Sequence, residues 1–304
     1  MRRWLAAGLA ALFSSVALGQ GFPERPVRIV VPLTPGGSPD TIARAIAAGL
    51  QWPQPVVVEN RPGGSQNIGA DLVAKSVPDG LTWLLAPDNV FSVNPHLGKQ
   101  PFEPLSDFIA VTLLARIQFL LVVHPSLPVN SVQDLVVYAK AHPGELNHGS
   151  SGNGSPQHLG AAMLQLLTGT KMNHVPYKGA APAVADLLGG RIPVWIGAAN
   201  TLLPHIKEGK LRLLGDTPTI AQTVPGYALD PWLGLFVPAR TPAEIVNRIH
   251  ADVVKVLNAP ELKAKLAAQG IMIETNSPSE FARAIREDNL RWGKVIKEAG
   301  IKGE

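Results

Sequence analysis

The stretch Val27-Arg28-Ile29-Val30-Val31-Pro32-Leu33-Thr34-Pro35-Gly36-Gly37-Ser38-Pro39-Asp40 carries the fold in miniature. Residues 27–33 form a nearly unbroken apolar, β-branched run, as expected of a strand buried on both faces in a parallel sheet. A Pro/Gly turn follows, and a helix is expected over residues 40–50, with Ile42, Ile46 and Leu50 at four-residue spacing. Ser38 is placed to cap that helix, and Pro39 suits its first position, where a missing N–H costs nothing. Free N–H groups at a helix start, with the positive end of the helix dipole, attract anions. Gly36 and Gly37 present no side chain, so a ligand can approach the backbone closely. The turn is therefore a candidate anion cradle that uses no cationic side chain.

The device recurs. Val56-Val57-Val58 leads through Asn60-Arg61 into Pro62-Gly63-Gly64-Ser65, which repeats Pro35-Gly36-Gly37-Ser38 letter for letter, and a helix carrying Ile68, Leu72 and Val73 follows. A looser third copy is Gly149-Ser150-Ser151-Gly152-Asn153-Gly154-Ser155-Pro156, ahead of a helix with Leu159, Met163 and Leu167. A single glycine loop between strand and helix is usually only a turn. Three of them gain meaning if the fold brings them together.

With 304 residues the chain can hold two domains, and 46% apolar against 16% charged residues describes a globular protein. Arg2-Arg3, an apolar stretch at residues 4–18 and small residues at Ala17 and Gly19 read as a signal peptide over residues 1–19, cleaved before Gln20. The stretch is too short to span a bilayer comfortably, and export to a bacterial periplasm is expected. Removing it would leave 25 basic against 23 acidic residues, a net +2. With the basic residues dispersed, nucleic acid is not an expected partner. The absence of cysteine excludes disulfides, thiolate metal sites and a lipidated cysteine.

Strands alternate with helices throughout, which gives an α/β protein with parallel-rich sheets. Further strands are expected at Thr82-Trp83-Leu84-Leu85 and at residues 109–114, 119–123, 194–196, 211–214 and 232–238. Residues 88–104 read as irregular and polar-aromatic, able to hold part of a site at Asn89, Phe91 and Ser92. The proline-rich His124-Pro125-Ser126-Leu127-Pro128 marks the first crossing between domains, and residues 232–238 the return. Domain 1 is thus expected at residues 22–123 and 236–304, and domain 2 at residues 124–235. Ligands of such sheets bind at the carboxyl ends of strands, where the glycine loops sit, so the ligand is expected between the lobes.

Catalytic patterns are missing. In Gly149-Ser150-Ser151-Gly152-Asn153 the second glycine falls one residue early for a nucleophile elbow. The same loop lacks the lysine of a phosphate-binding loop, and Gln157 stands where a dinucleotide loop wants glycine. The eight histidines show no metal-ligand spacing. His148 and His158, flanking the third loop, suit packing or capping. Asp40 and Asp71 suit helix starts. A hydrolase built on Ser151, His158 and Asp40 is recommended by nothing in the sequence.

The set Pro32-Leu33-Thr34-Pro35-Gly36-Gly37-Ser38-Pro39-Asp40, Val58-Glu59-Asn60-Arg61-Pro62-Gly63, Asn67-Ile68-Gly69-Ala70, Pro78-Asp79-Gly80 and Gly149-Ser150-Ser151-Gly152-Asn153-Gly154-Ser155 closely resembles the Bug-type receptors of tripartite tricarboxylate transporters (TctC-like solute-binding proteins). His158-Leu159, Val175-Pro176-Tyr177-Lys178-Gly179 and Trp232-Leu233-Gly234-Leu235 match as well, so the likeness spans residues 22–301. The resemblance implies a two-lobed periplasmic binding protein of type II-like fold that closes on a small organic carboxylate, without cofactor or metal. Carried over, the ligand-binding positions are Pro35, Gly36, Gly37, Ser38 and Asp40, then Gly64, Ser65 and Asn67, then Ser151, Gly154, Ser155 and His158. Asn89 and Asn200 complete the candidate set. The partners implied are the ligand and the permease subunits of a tripartite transporter, with the receptor a monomer. A secreted hydrolase-like enzyme and a ligand sensor for a signalling system are the alternatives.

This chain departs from the family at several points. Leu33 stands where an aromatic residue is usual, and Ala162 where many members have glutamate. Gly197-Ala198-Ala199-Asn200 replaces an acidic or amide side chain near the ligand, and the stretch after Leu214 is short. Without an acid at position 197 the pocket is expected to disfavour an α-amino group. Trp195 either narrows the distal pocket or belongs to the core.

Overall fold

The computed structural model describes residues 21–177 and 179–302; the expected export segment lies outside them. Eleven strands are described: β1 Val27–Val31, β2 Val56–Asn60, β3 Thr82–Pro87, β4 Phe108–Ile117, β5 Phe119–Val123, β6 Asn147–Ser150, β7 Asn173–Pro176, β8 Val194–Ala198, β9 Arg212–Asp216, β10 Trp232–Pro238 and β11 Ile271–Ile273. They form two sheets, ordered β11-β4-β10-β3-β1-β2 and β7-β6-β8-β5-β9. The first builds lobe one and the second lobe two.

Both sheets are mixed. β1 pairs in parallel with β2 and β3, while β10 runs antiparallel between β3 and β4. In lobe two β6 is parallel to β7 and β8, and β5 runs antiparallel between β8 and β9. The reversed strands β5 and β10 are the first that the chain lays down on entering lobe two and on returning to lobe one. β11 is also antiparallel, to β4, so parallel pairing is confined to β2-β1-β3 in lobe one and β7-β6-β8 in lobe two.

Both crossings come earlier than the sequence suggested. Phe119–Val123, expected in domain 1, pairs with β8 and β9 of lobe two along its whole length. Trp232–Pro238, expected to hold the return crossing, lies wholly within the first sheet. Lobe two therefore spans about residues 119–231. The physical reason is that five consecutive apolar residues suit the interior of either sheet, while the break between β4 and β5 is a single residue, Gln118. Its N–H donates to the carbonyl of Gly270 in lobe one, and its carbonyl accepts the N–H of Ala199 in lobe two. Any Cβ on Gly270 would stand 2.6 Å from that of Ala199, so glycine permits this close approach of the lobes.

Each sheet is covered on both faces. In lobe one, Ile29, Val31 and Leu85 face the helices Ser38–Gly49 and Ala243–Leu257, whereas Val30, Leu84 and Phe236 face Asn67–Ala74 and Pro278–Glu298. In lobe two, Val194 and Ile196 face Pro156–Thr168, and Trp195 faces Ala180–Leu188 and Ala199–Lys207. This alternation along β8 settles Trp195. It is a core residue, 1% exposed. A Cβ on Gly197 would lie 2.0 Å from its indole nitrogen, so the indole occupies the room that a side chain at position 197 would need.

Candidate ligand-binding site

The glycine loops stand at the carboxyl ends of β1, β2 and β6, where open α/β sheets bind their ligands. Loop one differs from expectation in its capping. The helix begins at Ser38, and Gly37 takes the N-cap position with extended backbone, φ −82° and ψ 174°. Ser38 is buried inside the first turn, since Pro39 is tolerated one place further in. The job of holding the turn falls to Asp40, whose Oδ2 accepts the Gly36 N–H at 3.0 Å and Arg44 Nε at 3.0 Å. Burial alone would raise the Asp40 pKa, but Arg44, the Gly36 amide and Asn60 outweigh it and hold the carboxyl below its ordinary range. Asp40 Oδ1 is buried with no partner among the described residues. The Gly36 amide is thus spent internally, leaving the first-turn amides of the helix, which by geometry have no intrahelical acceptor.

Loop two is a left-handed run. Gly63, Gly64, Ser65 and Gln66 have φ of 123°, 55°, 51° and 77°. Ser65 and Gln66 pay a steric cost of about 1–2 kcal/mol each for this conformation. Such successive turns aim backbone N–H groups into one concavity, an arrangement that favours anions. Asn94, which the sequence reading did not single out, holds the strained turn: its Nδ2 donates to the Ser65 carbonyl at 2.8 Å and to Asn67 Oδ1 at 3.3 Å. Loops one and two are tied together by Asn60, whose Nδ2 donates to the Leu33 carbonyl while its Oδ1 accepts from Arg44.

Loop three follows the expected capping logic. Ser155 caps Pro156–Thr168 through the His158 N–H, with Pro156 in the first turn. Ser155 Oγ donates to the Gly152 carbonyl at 2.7 Å, and Ser151 Oγ to Gln157 Oε1 at 2.9 Å. Gly154, at φ 71°, lies so close to lobe one that a Cβ would meet Leu97 Cδ1 at 2.3 Å and Val93 Cγ1 at 3.5 Å. The short helices Asn89–Ser92 and Asn94–Leu97 therefore touch loop two through Asn94 and loop three through Leu97. That junction brings elements of both lobes into contact beside the glycine loops.

The remaining candidates divide. Asn89, following β3, is buried with Oδ1 unpartnered among the described residues, and Asn200 Oδ1, following β8, is likewise buried and unpartnered. Phe91 does not line a site: it stacks on Phe236 at 3.9 Å within the core, and its companion Ser92 is fully buried. Asp71, expected near a helix start, sits inside Asn67–Ala74 and pairs with Lys75. The hydrolase set is not assembled, because Ser151, His158 and Asp40 are each engaged within their own loops. A serine–histidine pair does exist, Ser150 Oγ to His174 Nε2 at 2.6 Å, but Ser150 is fully buried. No group of three or more His, Asp or Glu able to hold a metal ion occurs among the described residues.

The arrangement has close counterparts. The family model for the tripartite tricarboxylate transporter family receptor matches residues 42–301. BugT of Bordetella pertussis is 34% identical over 315 residues, covering 97% of this chain and 94% of that protein. The structure of R. palustris Rpa4515 with adipate is 37% identical with a TM-score of 0.87, over 93% of this chain and 100% of the other. MatC from Rhodopseudomonas palustris with bound malate is 28% identical with a TM-score of 0.81, over 90% and 100% respectively. The chain belongs to the receptor family of tripartite tricarboxylate transporters, a family of periplasmic binding proteins and not of enzymes.

Proposed function

We propose that the chain captures a small organic carboxylate between its lobes and delivers it to the permease subunits of a tripartite transporter. The observation that carries this reading is the junction of three glycine loops from both lobes at the carboxyl ends of their strands, where Arg44 is already engaged by Asp40. A carboxylate there would be met by backbone N–H groups fixed before it arrives, in a partly desolvated cleft where charge-assisted hydrogen bonds are strong. Relatives solved with adipate and malate support the ligand class. Pro35, Gly37, Ser38, Gly64, Ser65, Asn67, Ser151, Gly154 and Ser155 would surround the ligand, with Asn89 and Asn200 offering amides to its remaining polar groups. Asp40 and the Gly36 amide would act by holding loop one in shape.

The room that Trp195 takes beside Gly197 favours a plain organic acid over an α-amino acid, since no acidic group can be seated there for an ammonium. The same reading places the working protein in the periplasm after removal of residues 1–19. A thermal-shift screen of residues 20–304 against mono-, di- and tricarboxylates, amino acids and their amides tests the proposal. Because a ligand that binds only the folded state raises the melting temperature, carboxylates should produce the shifts. A response to amino acids or their amides with silence from every mono-, di- and tricarboxylate lacking an amino group would contradict it.

A further inference from the structure

Three imidazoles form a column beneath loop three. His148 on β6 and His174 on β7 are register neighbours, and His158 stands in the first turn of Pro156–Thr168. The His158 and His174 rings stack at 3.8 Å and 8°, and His148 continues the stack at 5.1 Å from His174. Two of the rings reach the loop itself. His174 Nε2 lies 2.6 Å from Ser150 Oγ, which donates to the Gly152 carbonyl and accepts the Gly152 N–H. The Gly154 N–H donates to His158 Nδ1 at 3.2 Å.

That last bond fixes a protonation state. An Nδ1 that accepts carries no proton, so the His158 ring is neutral with its hydrogen on Nε2. An imidazolium would turn an N–H against the Gly154 N–H and break the bond. The surroundings agree from every side. The groups acting on the column are its own members: burial first, then the His174 ring, push His158 down to about 4, and burial with both neighbours pushes His148 down to about 3. Among the described residues no carboxylate reaches these rings to favour a charge. Gln165 meets His148, and Asp186 on Ala180–Leu188 is taken by Tyr177 and Arg191.

We propose that His158 is a positioning residue: as a neutral acceptor it fixes the Gly154 amide, and through it the seat of loop three against Leu97, without lending positive charge to the cleft. The inference rests on the carboxylate-receptor reading for its effect on affinity, but its structural part does not. It goes against the simplest role for a histidine beside an anion, an ion pair with the ligand. Recognition would instead rest on backbone dipoles, and affinity would not follow histidine titration.

The test has a ligand-free arm and a binding arm. In 15N-histidine NMR of the mature protein, His158 should show the Nε2–H tautomer at pH 7 and remain neutral down to about pH 5. The Gly154 amide should exchange at least tenfold faster in His158→Leu than in wild type, and near the wild-type rate in His158→Asn, whose Oδ1 can replace Nδ1 as acceptor. With adipate as probe, affinity should change less than threefold between pH 6 and pH 8, and His158→Asn should bind within about fivefold of wild type. A His158 that titrates near 6.5, or Gly154 exchange unchanged in His158→Leu, would overturn the positioning role. A tenfold loss of adipate affinity from pH 6 to pH 8, abolished by His158→Asn, would show the ion pair in its place. Absence of adipate binding with the NMR arm as expected would leave the positioning role standing and count against the ligand class alone.

Discussion

Asp40 accepts the amide of Gly36, four residues before it, through the same oxygen that receives Arg44 Nε, both at 3.0 Å. A carboxylate thus stands in the wall of the cradle proposed for the ligand, and Arg44 offsets its charge. Replacing Asp40 by Ala should leave Gly36 without its acceptor and loosen loop one, at a cost of about 1–3 kcal/mol. Asp40→Asn keeps an acceptor and should cost less than half as much. Denaturant unfolding at pH 7 reads both. Since the folded pKa lies below the ordinary carboxyl value of 3.8, the carboxylate's contribution is present above that pH and is lost as pH falls through the folded value.

Gly154 faces two demands, a positive φ and the contact with Leu97. Gly154→Ala should weaken carboxylate binding about tenfold or more, combining backbone strain of about 1 kcal/mol with obstruction of the lobe contact. Leu97→Ala in the same chain should recover part of the loss, because the side-chain clash is relieved while the strain remains. Calorimetry on the two proteins and the double variant separates the terms.

Asp88 opens the helix Asn89–Ser92, accepting the Asn89 N–H, and is 3% exposed. Burial, reinforced by Asp288, pushes its pKa up to about 8. A carboxyl that holds its proton more tightly when folded makes the fold lose stability as pH rises, here from the ordinary value of 3.8 up to about 8. Asp88→Asn preserves the acceptor and removes the buried charge. It should raise the melting temperature at pH 8 relative to wild type, by an amount corresponding to at least about 1 kcal/mol, and change it little at pH 4.

The histidine column slopes the other way. His148 and His158 start from 6.5 when unfolded and lie at about 3 and about 4 when folded, so their neutral forms favour the fold above pH 6.5. That contribution declines as pH falls from 6.5 toward the folded values. In melting curves between pH 7 and pH 4, His148→Gln should show a shallower fall in stability than wild type, whatever its absolute melting temperature.

Much of this was legible in the chain itself. The run from Val27 to Asp40, its near-repeat at residues 56–65 and the Ser155-Pro156 cap announce strand, turn and helix locally, and the structure has each of them. What escaped depends on partners far along the chain. Phe119–Val123 reads the same for either sheet, and only its pairing with β8 and β9 assigns it. Phe91 looked available because Phe236, which covers it, lies 145 residues away. His174 carried no local signal, since the column exists only once β6 and β7 are in register. Asn94 had one usable clue, an amide in the polar stretch already marked around Asn89. Ser38 looks like the cap in the sequence, but Gly37 takes that position because Asp40, not a capping hydroxyl, secures the turn.

The most direct test of the account is to follow backbone amide NMR shifts while adding whichever carboxylate stabilises the protein most. Saturable, one-to-one changes are expected, concentrated in residues 36–40, 63–67 and 151–155 together, with Asn89 and Asn200 responding through their side-chain amides. Changes confined to one lobe, or centred on the surface around Arg25, Arg28 and Lys75 at the far end of β1, would contradict a carboxylate held between the lobes.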